Sequence, residues 1–195
     1  MFYPQHIPEV ILVKPQRFGD DRGYFMETFR QSKYDAAGIP GPFVQDNFSM
    51  SRDACVLRGL HFQTNPSAQG KLVRCTQVAI FDVAVDIRRG SPTYGQHISA
   101  TLSAENGWQM FIPVGFAHGF CTLEPDCAVD YKVTAYYDPS CDKGIAWDDP
   151  DIGIDWPLDG HSPILSGKDT QQPRFRDLPE FFKYTSDSIK PGTAT

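Results

Sequence analysis

The segment Phe81–Ile87, with the sequence FDVAVDI, decides the class of fold. Large apolar residues alternate with small or acidic ones, which is the pattern of a β-strand that buries one face. The same alternation recurs from Val129 to Tyr137. Further short runs that favour strands lie outward from these two segments, near residues 10–14, 24–29, 43–50, 55–63, 71–78, 96–102, 108–112 and 116–123.

Helical patterns are scarce in this chain. Only two segments favour a helix, roughly Gln31–Ala37, which Gly38 would end, and roughly Leu178–Tyr184. Many short strands that do not alternate with helices predict an all-β sandwich, barrel or jelly roll. The chain has no internal repeat and no linker, so we expect one domain over residues 1–184. A small, polar and flexible tail is expected at 185–195.

The composition limits the possible functions. The chain has 195 residues, of which 41% are hydrophobic and 22% charged, as in ordinary soluble globular proteins. A net charge of −6 without a basic run argues against a nucleic-acid or membrane-surface binder, but it is compatible with a local cationic pocket. We expect a cytoplasmic protein, because no signal-peptide pattern and no membrane-length apolar run occurs. An odd number of cysteines without a CxxC pair predicts reduced thiols.

The segment Val56–Gln63, VLRGLHFQ, carries the clearest candidate chemistry. His61 follows Arg58 by three residues and precedes Lys71 by ten. A base on a strand beside two cations suits removal of a proton next to a carbonyl in an anionic substrate. From this segment alone, a purely structural histidine is equally compatible with the pattern.

Several common cofactor and catalytic motifs are missing from the sequence. It contains no dinucleotide fingerprint, no phosphate-binding loop and neither HExxH nor GxSxG. A metal site in a β-barrel usually gathers three or more histidine and carboxylate ligands, whereas Leu60 and Phe62 flank His61 and Arg58 lies nearby. We therefore expect neither a cofactor nor a catalytic metal.

Eight motifs in a fixed order give the chain a family resemblance. They are DRGYFME at 21–27, QDNFS at 45–49, LRGLHFQ at 57–63, KLVR at 71–74, DVAVDIR at 82–88, PVGFAHGF at 113–120, YKVTAYY at 131–137 and SGKD at 166–169. By these motifs the chain closely resembles the dTDP-4-dehydrorhamnose 3,5-epimerases over about residues 5–180. The resemblance implies a cupin-like jelly roll, or double-stranded β-helix, with a few short peripheral helices. It also implies a homodimer that needs no metal and no nicotinamide.

The resemblance further implies roles for individual residues. His61 matches the catalytic base, and Asp169 matches the carboxylate that orients it. Tyr131 matches the acid on the opposite sugar face, and Lys71 matches the cation near the developing enolate oxygen. A larger set matches positions that hold the nucleotide sugar, some of them across the dimer: Arg22, Phe25, Glu27, Gln45, Asn47, Arg58, His118 and Tyr137.

The implied reaction fits these residue types. A C4 ketone acidifies the hydrogens at C3 and C5, and epimerisation needs a base and an acid on opposite walls of the site. The resemblance thus implies conversion of dTDP-4-keto-6-deoxyglucose to dTDP-4-keto-L-rhamnose, for dTDP-L-rhamnose synthesis. The alternatives are an epimerase of C3 only or of C5 only, a non-catalytic sugar-nucleotide binding jelly roll, and a metal-dependent cupin.

Three positions depart from the family pattern. Cys55 and Val78 stand where the family usually has glycine, and Phe48 stands where it often has histidine. If the first two positions require a positive φ, their side chains are strained. Phe116 and Phe120 are interpreted as side chains that pack inside the barrel. Arg88 and Arg89 are interpreted as solvated side chains.

Overall fold

The structure is a computed structural model, and it describes residues 1–185. The predicted flexible tail therefore lies, apart from Thr185, outside the described residues. The assignment of residues 1–184 to one domain stays a prediction.

Short antiparallel strands dominate the described part of the chain. One helix, α1, spans Gln31–Ala36, and two 3₁₀ turns span Asp169–Gln171 and Phe175–Asp177. The strands, numbered in chain order, are β1 Phe2–Pro4, β2 Ile11–Val13, β3 Arg17–Asp20, β4 Gly23–Met26, β5 Gln45–Ser51, β6 Leu57–Gln63, β7 Lys71–Gln77, β8 Ala79–Asp86, β9 Arg88–Arg89, β10 His97–Ser103, β11 Gln109–Ile112, β12 Phe116–Thr122, β13 Cys127–Val133, β14 Asp142–Gly144 and β15 Phe182–Lys183.

Two antiparallel sheets pack face to face. The six-stranded sheet has the order β1-β2-β11-β7-β13-β5, and the five-stranded sheet has the order β10-β8-β12-β6-β14. Apolar side chains from both sheets form the core between them, among them Val73, Met110 and Val129 from the first and Ile80, Phe116 and Phe120 from the second. This arrangement confirms the predicted all-β jelly roll and the packing role of Phe116 and Phe120.

Each segment predicted as a strand overlaps an observed strand, and two segments differ from the prediction in an informative way. The alternating segment 129–137 forms a strand only as far as Val133, where β13 ends. The segment 81–87 is not half-buried, because Asp82, Ala84 and Asp86 of β8 have no exposed surface. The chain after Gly144 covers the outer face of the five-stranded sheet with apolar side chains such as those of Ile145, Trp156, Phe175 and Phe182.

The first predicted helix is confirmed and the second is wrong. Helix α1 spans Gln31–Ala36, and Gly38 follows it with a φ of 79°. The region 178–184 instead follows a 3₁₀ turn and ends in strand β15, which pairs in parallel with β9. Leu178 and Phe182 are both buried against the outer face of the five-stranded sheet. Extended chain lets both residues reach that face, so tertiary packing overrides helix propensity.

The interpretation of Arg88 as a solvated side chain is wrong. Its guanidinium is buried and donates to both carboxylate oxygens of Asp86, at 2.9 and 2.7 Å, and to Glu9 Oε1 at 2.7 Å. Two carboxylates thus compensate the buried cation. Arg89 is half-buried and donates to the carbonyl of Leu178 at 3.2 Å.

The backbone confirms the suspected strain at the two glycine-like positions. Cys55 has a φ of 57° and Val78 a φ of 65°. Val78 lies in the tight connection between β7 and β8, as the sequence predicts. A side chain in this left-handed region costs roughly 1–2 kcal/mol relative to glycine.

Candidate active site

Polar side chains from both sheets line one cleft. His61 on β6 and His118 on β12 come from the five-stranded sheet, whereas Lys71 on β7 and Tyr131 on β13 come from the six-stranded sheet. Asp169 enters from the 3₁₀ turn that it begins. The cavity has a volume of ≈ 400 Å³. The four residues expected to carry the chemistry therefore share one cleft.

His61 and Asp169 form a hydrogen-bonded pair. The distance from His61 Nε2 to Asp169 Oδ1 is 2.6 Å. The other carboxylate oxygen accepts a hydrogen bond from Ser166 Oγ at 2.7 Å. Burial alone would raise the pKa of Asp169, but the hydrogen bonds from His61 and Ser166 outweigh it and lower that pKa. Asp169 is therefore held as a carboxylate that accepts hydrogen bonds from His61 and Ser166.

A glycine next to His61 allows its strand to approach β12 closely. Gly59 has a φ of 134°, and a Cβ atom there would lie 2.5 Å from the Cα of Gly119. Only glycine fits this backbone conformation and this contact. The pairing of β6 with β12 shifts register at the same point, and His61 then lies opposite His118. The motif Leu57–Gln63 thus aims the imidazole into the cleft.

Lys71 lies deep in the cleft beside His61. Its ammonium donates to the His61 carbonyl at 3.4 Å. Burial lowers the pKa of Lys71 to about 8, against the opposing influence of the carboxylates of Asp142 and Asp82. The lysine therefore remains mostly protonated at neutral pH and can donate to an oxygen that gains negative charge.

Tyr131 stands on the wall opposite His61. The half-buried ring lies on the cleft side of β13, in the six-stranded sheet, whereas His61 lies in the five-stranded sheet. Burial raises the pKa of Tyr131, so its hydroxyl keeps its proton at neutral pH. A molecule between the sheets would meet a base on one side and a proton donor on the other.

His118 is held by a carboxylate that the sequence analysis did not single out. The distance from His118 Nε2 to Asp82 Oδ1 is 2.7 Å, and Asp82 has no exposed surface. Burial lowers the pKa of His118, although Asp82 opposes that effect. Asp82 was missed because its place in the alternating segment indicated a solvent-facing side chain.

Arg58 lies at the rim of the cleft. It is exposed, and its guanidinium donates to Ser51 Oγ at 3.3 Å and to the Met50 carbonyl at 3.1 Å. These two contacts leave further N–H groups available to an anion, because a guanidinium carries five donors. Arg58 is therefore placed to meet an anionic group at the entrance.

A second cavity continues from the first and shares His61, Lys71 and Tyr131 with it. Three residues expected to hold substrate line this extension, namely Gln45, Asn47 and Tyr137. They are linked to one another, because Gln45 Nε2 donates to Asn47 Oδ1 at 2.7 Å and the Tyr137 amide donates to Gln45 Oε1 at 3.1 Å. Asp142 and Lys168 also line it. No sequence pattern singled out Asp142, and Lys168 appeared only as part of the SGKD motif.

Three expected substrate-binding residues lie away from the cleft of their own chain. Arg22 pairs with Asp20 at the tip of the β3–β4 hairpin, and Phe25 on β4 is 68% exposed. Glu27 forms an ion pair with Lys33 at 2.7 Å. Within residues 1–185, the linings of the two adjoining cavities include none of the three.

Among the described residues, no group of three or more histidine, cysteine or acidic side chains could hold a metal ion. No helix within residues 1–185 is long and apolar enough to cross a membrane.

The fold and the cleft together define a jelly-roll protein with an acid–base site between its two sheets, and comparisons with known proteins narrow this class. The family model described as dTDP-4-dehydrorhamnose 3,5-epimerase matches residues 4–177. A relative of that name from Sinorhizobium fredii is 53% identical over 183 residues, which cover 94% of this chain and 93% of the relative. The chain therefore belongs to the dTDP-4-dehydrorhamnose 3,5-epimerase family, and the expected class of enzyme, an epimerase, is confirmed.

Solved structures agree with this assignment. A dTDP-6-deoxy-D-glucose-3,5-epimerase from Legionella pneumophila, in complex with dTDP-4-keto-L-rhamnose, is 43% identical with a TM-score of 0.90, and the match covers 95% of this chain and 99% of that one. A 3'-monoepimerase from Streptomyces bikiniensis, in complex with dTDP-quinovose, is 32% identical with a TM-score of 0.83, over 89% of this chain and 87% of that one.

Proposed function

We propose that this protein inverts C3 and C5 of dTDP-4-keto-6-deoxyglucose and yields dTDP-4-keto-L-rhamnose, in the synthesis of dTDP-L-rhamnose. The observation that carries the proposal is the position of His61, paired with Asp169, on one sheet and of Tyr131 on the other. The similar enzyme from Legionella pneumophila, whose structure contains dTDP-4-keto-L-rhamnose, supports this choice of sugar.

The proposed mechanism begins with proton removal. His61 takes the proton from the carbon next to the C4 ketone, and the electron pair moves into an enolate. Asp169 stabilises the imidazolium that forms, because its carboxylate is held in its charged form. Lys71 donates to the enolate oxygen, where the negative charge collects.

Reprotonation from the opposite face completes the inversion. Tyr131 delivers its proton to the carbon while the electron pair returns from the enolate to form the new C–H bond. The ketone is regenerated, and solvent restores the protonation states of His61 and Tyr131. No electrons are gained or lost overall, so these steps need no nicotinamide, and Lys71 supplies the positive charge at the enolate oxygen.

Nucleotide binding is assigned to the other polar residues of the cleft. Arg58 meets the diphosphate, since a guanidinium forms charge-assisted, often bidentate bonds with phosphate oxygens. His118 lines the same cavity as Arg58 and Lys71 and is assigned to the nucleotide sugar as well. Gln45, Asn47 and Tyr137 are assigned to the neighbouring extension.

A homodimer accounts for the residues that lie outside the cleft. Phe18, Tyr24 and Phe25 are more than half exposed on the β3–β4 hairpin, and Phe48 is equally exposed on the edge strand β5. Such large apolar side chains favour a protein partner. In the proposed dimer the hairpin of one subunit brings Arg22, Phe25 and Glu27 to the partner's cleft. The cytoplasm is the proposed location.

Subunit mixing tests the dimer. Arg22→Ala and His61→Ala are each expected to be inactive as homodimers. A heterodimer of the two contains one cleft with its own His61 and an intact Arg22 from the partner, so mixing after mild dissociation should restore activity. Light scattering should give twice the monomer mass. A fully active monomer, or mixing without any recovery, would contradict the shared site.

The reaction is tested by incubation with dTDP-4-keto-6-deoxyglucose in D₂O, with NMR of deuterium at C3 and C5. Deuterium and inversion at both carbons support the proposal. A second candidate, epimerisation of C3 alone, is favoured by the similarity to the Streptomyces bikiniensis 3'-monoepimerase. It predicts inversion at C3 only. If neither C3 nor C5 exchanged its hydrogen for deuterium, the protein would be a binding protein without catalytic activity.

A further inference from the structure

Asp142 occupies an unusual position at the edge of the cleft. It begins β14, and its neighbour in the pairing with β6 is Gln63. Its carboxylate is only 15% exposed and forms an ion pair with Lys168. The same oxygen accepts a hydrogen bond from the Tyr137 hydroxyl at 3.2 Å. Asp142 thus connects three separate segments of the chain at one end of the cleft.

We propose that Asp142 is a positioning residue of the epimerase, whose negative charge favours the protonated forms of Lys71 and Tyr131. Its contacts also fix Tyr137 and Lys168 at the cleft edge. This inference rests on the proposed function, in which Lys71 and Tyr131 act as hydrogen donors. The geometry that supports it is the extension of the cleft, which Asp142 lines together with both of these donors.

The physical reason is the effect of a nearby negative charge on each donor. A carboxylate favours the charged form of a lysine and disfavours ionisation of a tyrosine. Asp142 is the strongest of the charges that oppose the burial of Lys71, and it also raises the pKa of Tyr131. The carboxylate of Asp142 therefore raises the pKa of both groups: that of Lys71, which donates a hydrogen bond to the enolate oxygen, and that of Tyr131, which donates a proton to carbon.

Other charged and titratable groups surround Lys71, and each element of the cleft contributes. They are Asp82 on β8, His118 on β12, His61 on β6, Tyr131 on β13, Asp142 on β14, and Lys168 and Asp169 around the first 3₁₀ turn. Asp82 shares the favourable sign, but it is already bonded to His118 in the interior. Asp142 lies at the edge of the cleft, so it can be substituted without disturbing the buried Asp82–His118 pair.

Lys168 makes it possible to test the direction in which a nearby charge changes the pKa of Lys71. Its positive charge lowers the pKa of Lys71, in opposition to Asp142. Removal of the carboxylate in Asp142→Asn should therefore lower the pKa of Lys71, and removal of the ammonium in Lys168→Gln should raise it. If the Asp142–Lys168 ion pair were only structural, both substitutions would change the pKa of Lys71 in the same direction, because both break the same contact.

The experiment is an NMR titration of the whole protein that contains lysine labelled with ¹³C at Cε, with Lys71 assigned by the loss of its signal in Lys71→Arg. Asp142→Asn should lower the pKa of Lys71 by about half a unit or more, and Lys168→Gln should raise it. Asp151→Asn is the matched control, since it removes an exposed carboxylate paired with Arg176 and should leave Lys71 unchanged.

Activity gives the second measurement. The alkaline limb of the kcat profile should move to lower pH in Asp142→Asn and to higher pH in Lys168→Gln. Unchanged titrations of Lys71, or shifts of the same sign in both variants, would overturn the inference, even if activity fell. A wild-type protein that exchanges no deuterium would instead overturn the proposed function, whatever the titration shows.

Discussion

His61 Nε2 lies 2.6 Å from Asp169 Oδ1, although 108 residues separate the two in the chain. The imidazole is 28% exposed towards the cleft, whereas the carboxylate is 3% exposed behind it. The geometry assigns the proton to Nε2, which donates to the carboxylate, and leaves the lone pair of Nδ1 for the cleft. A proton taken by Nδ1 then creates a cation that already faces its counter-ion.

Asp169→Asn should slow deuterium exchange at both C3 and C5 by roughly 10²–10⁴-fold, because an amide cannot compensate the imidazolium. His61→Ala should abolish exchange at both carbons. NMR in D₂O measures each rate, and the far-ultraviolet circular dichroism of each variant controls for folding. Exchange at the wild-type rate in Asp169→Asn would assign the carboxylate a purely structural role.

Tyr131→Phe should separate exchange from inversion. The ring remains to pack on β13, and His61 can still form the enolate and return deuterium to the original face. Inversion should fall by roughly 10²–10⁴-fold while exchange persists at one carbon or more. If Tyr131→Phe inverted both carbons at nearly the wild-type rate, Tyr131 would not be the proton donor and would serve only in the packing of β13.

Arg58→Ala should weaken substrate binding more than it slows the chemical step. A charge-assisted hydrogen bond to the diphosphate contributes about 1.5–3 kcal/mol, so the Kd for dTDP should rise by about 10-fold or more. Calorimetric titration with dTDP measures this constant. Arg52→Ala is a suitable control, since Arg52 is also exposed but lies outside the lining of the cleft. A similar Kd in both variants would make Arg58 structural.

Cys55→Gly should stabilise the fold relative to Cys55→Ala. Both variants remove the thiol, but only glycine relieves the φ of 57°. The relief of roughly 1–2 kcal/mol exceeds the loss of roughly 0.5–1 kcal/mol from the greater freedom of glycine in the unfolded chain. Urea unfolding of both variants measures the difference. If alanine proved the more stable substitution, the strain assigned to this position would be absent.

The stability of the protein should fall in acid partly through Asp86. Burial would raise its pKa, but hydrogen bonds from Arg88, Ser91 and Thr93 outweigh that and lower it below the ordinary value of 3.8. A lowered pKa contributes stability that is complete above the unfolded value and is lost as the pH falls through the folded value.

Asp86→Asn should therefore unfold more easily at pH 7, by about 3–5 kcal/mol, because it leaves the buried cation of Arg88 incompletely paired. Between pH 5 and 2 its free energy of unfolding should change less steeply than that of the wild type. Urea unfolding across this range provides the measurement. Parallel curves for the two proteins would mean that Asp86 titrates alike in the folded and unfolded states.

Short-range patterns in the sequence were sufficient for most of the strands, for helix α1 and for the family. The period of two in Phe81–Ile87 depends only on local chain geometry, so it predicted β8 without knowledge of its neighbours. The motif around His61 was recognised from a short stretch of sequence, although the reason for its glycine, the close approach of β6 to β12, appears only in the structure. The family resemblance, in which glycine usually stands at positions 55 and 78, pointed to the positive φ that Cys55 and Val78 adopt.

Contacts between distant segments decided the rest. The chain after Gly144 covers the outer face of the five-stranded sheet, and this buried both faces of β8 and turned the predicted helix 178–184 into extended chain. Other contacts between distant segments paired Asp82 with His118 and brought Glu9 to the buried guanidinium of Arg88. Burial and charge pairing depend on which segments meet in space, and a periodic pattern within one segment contains no information about its partner.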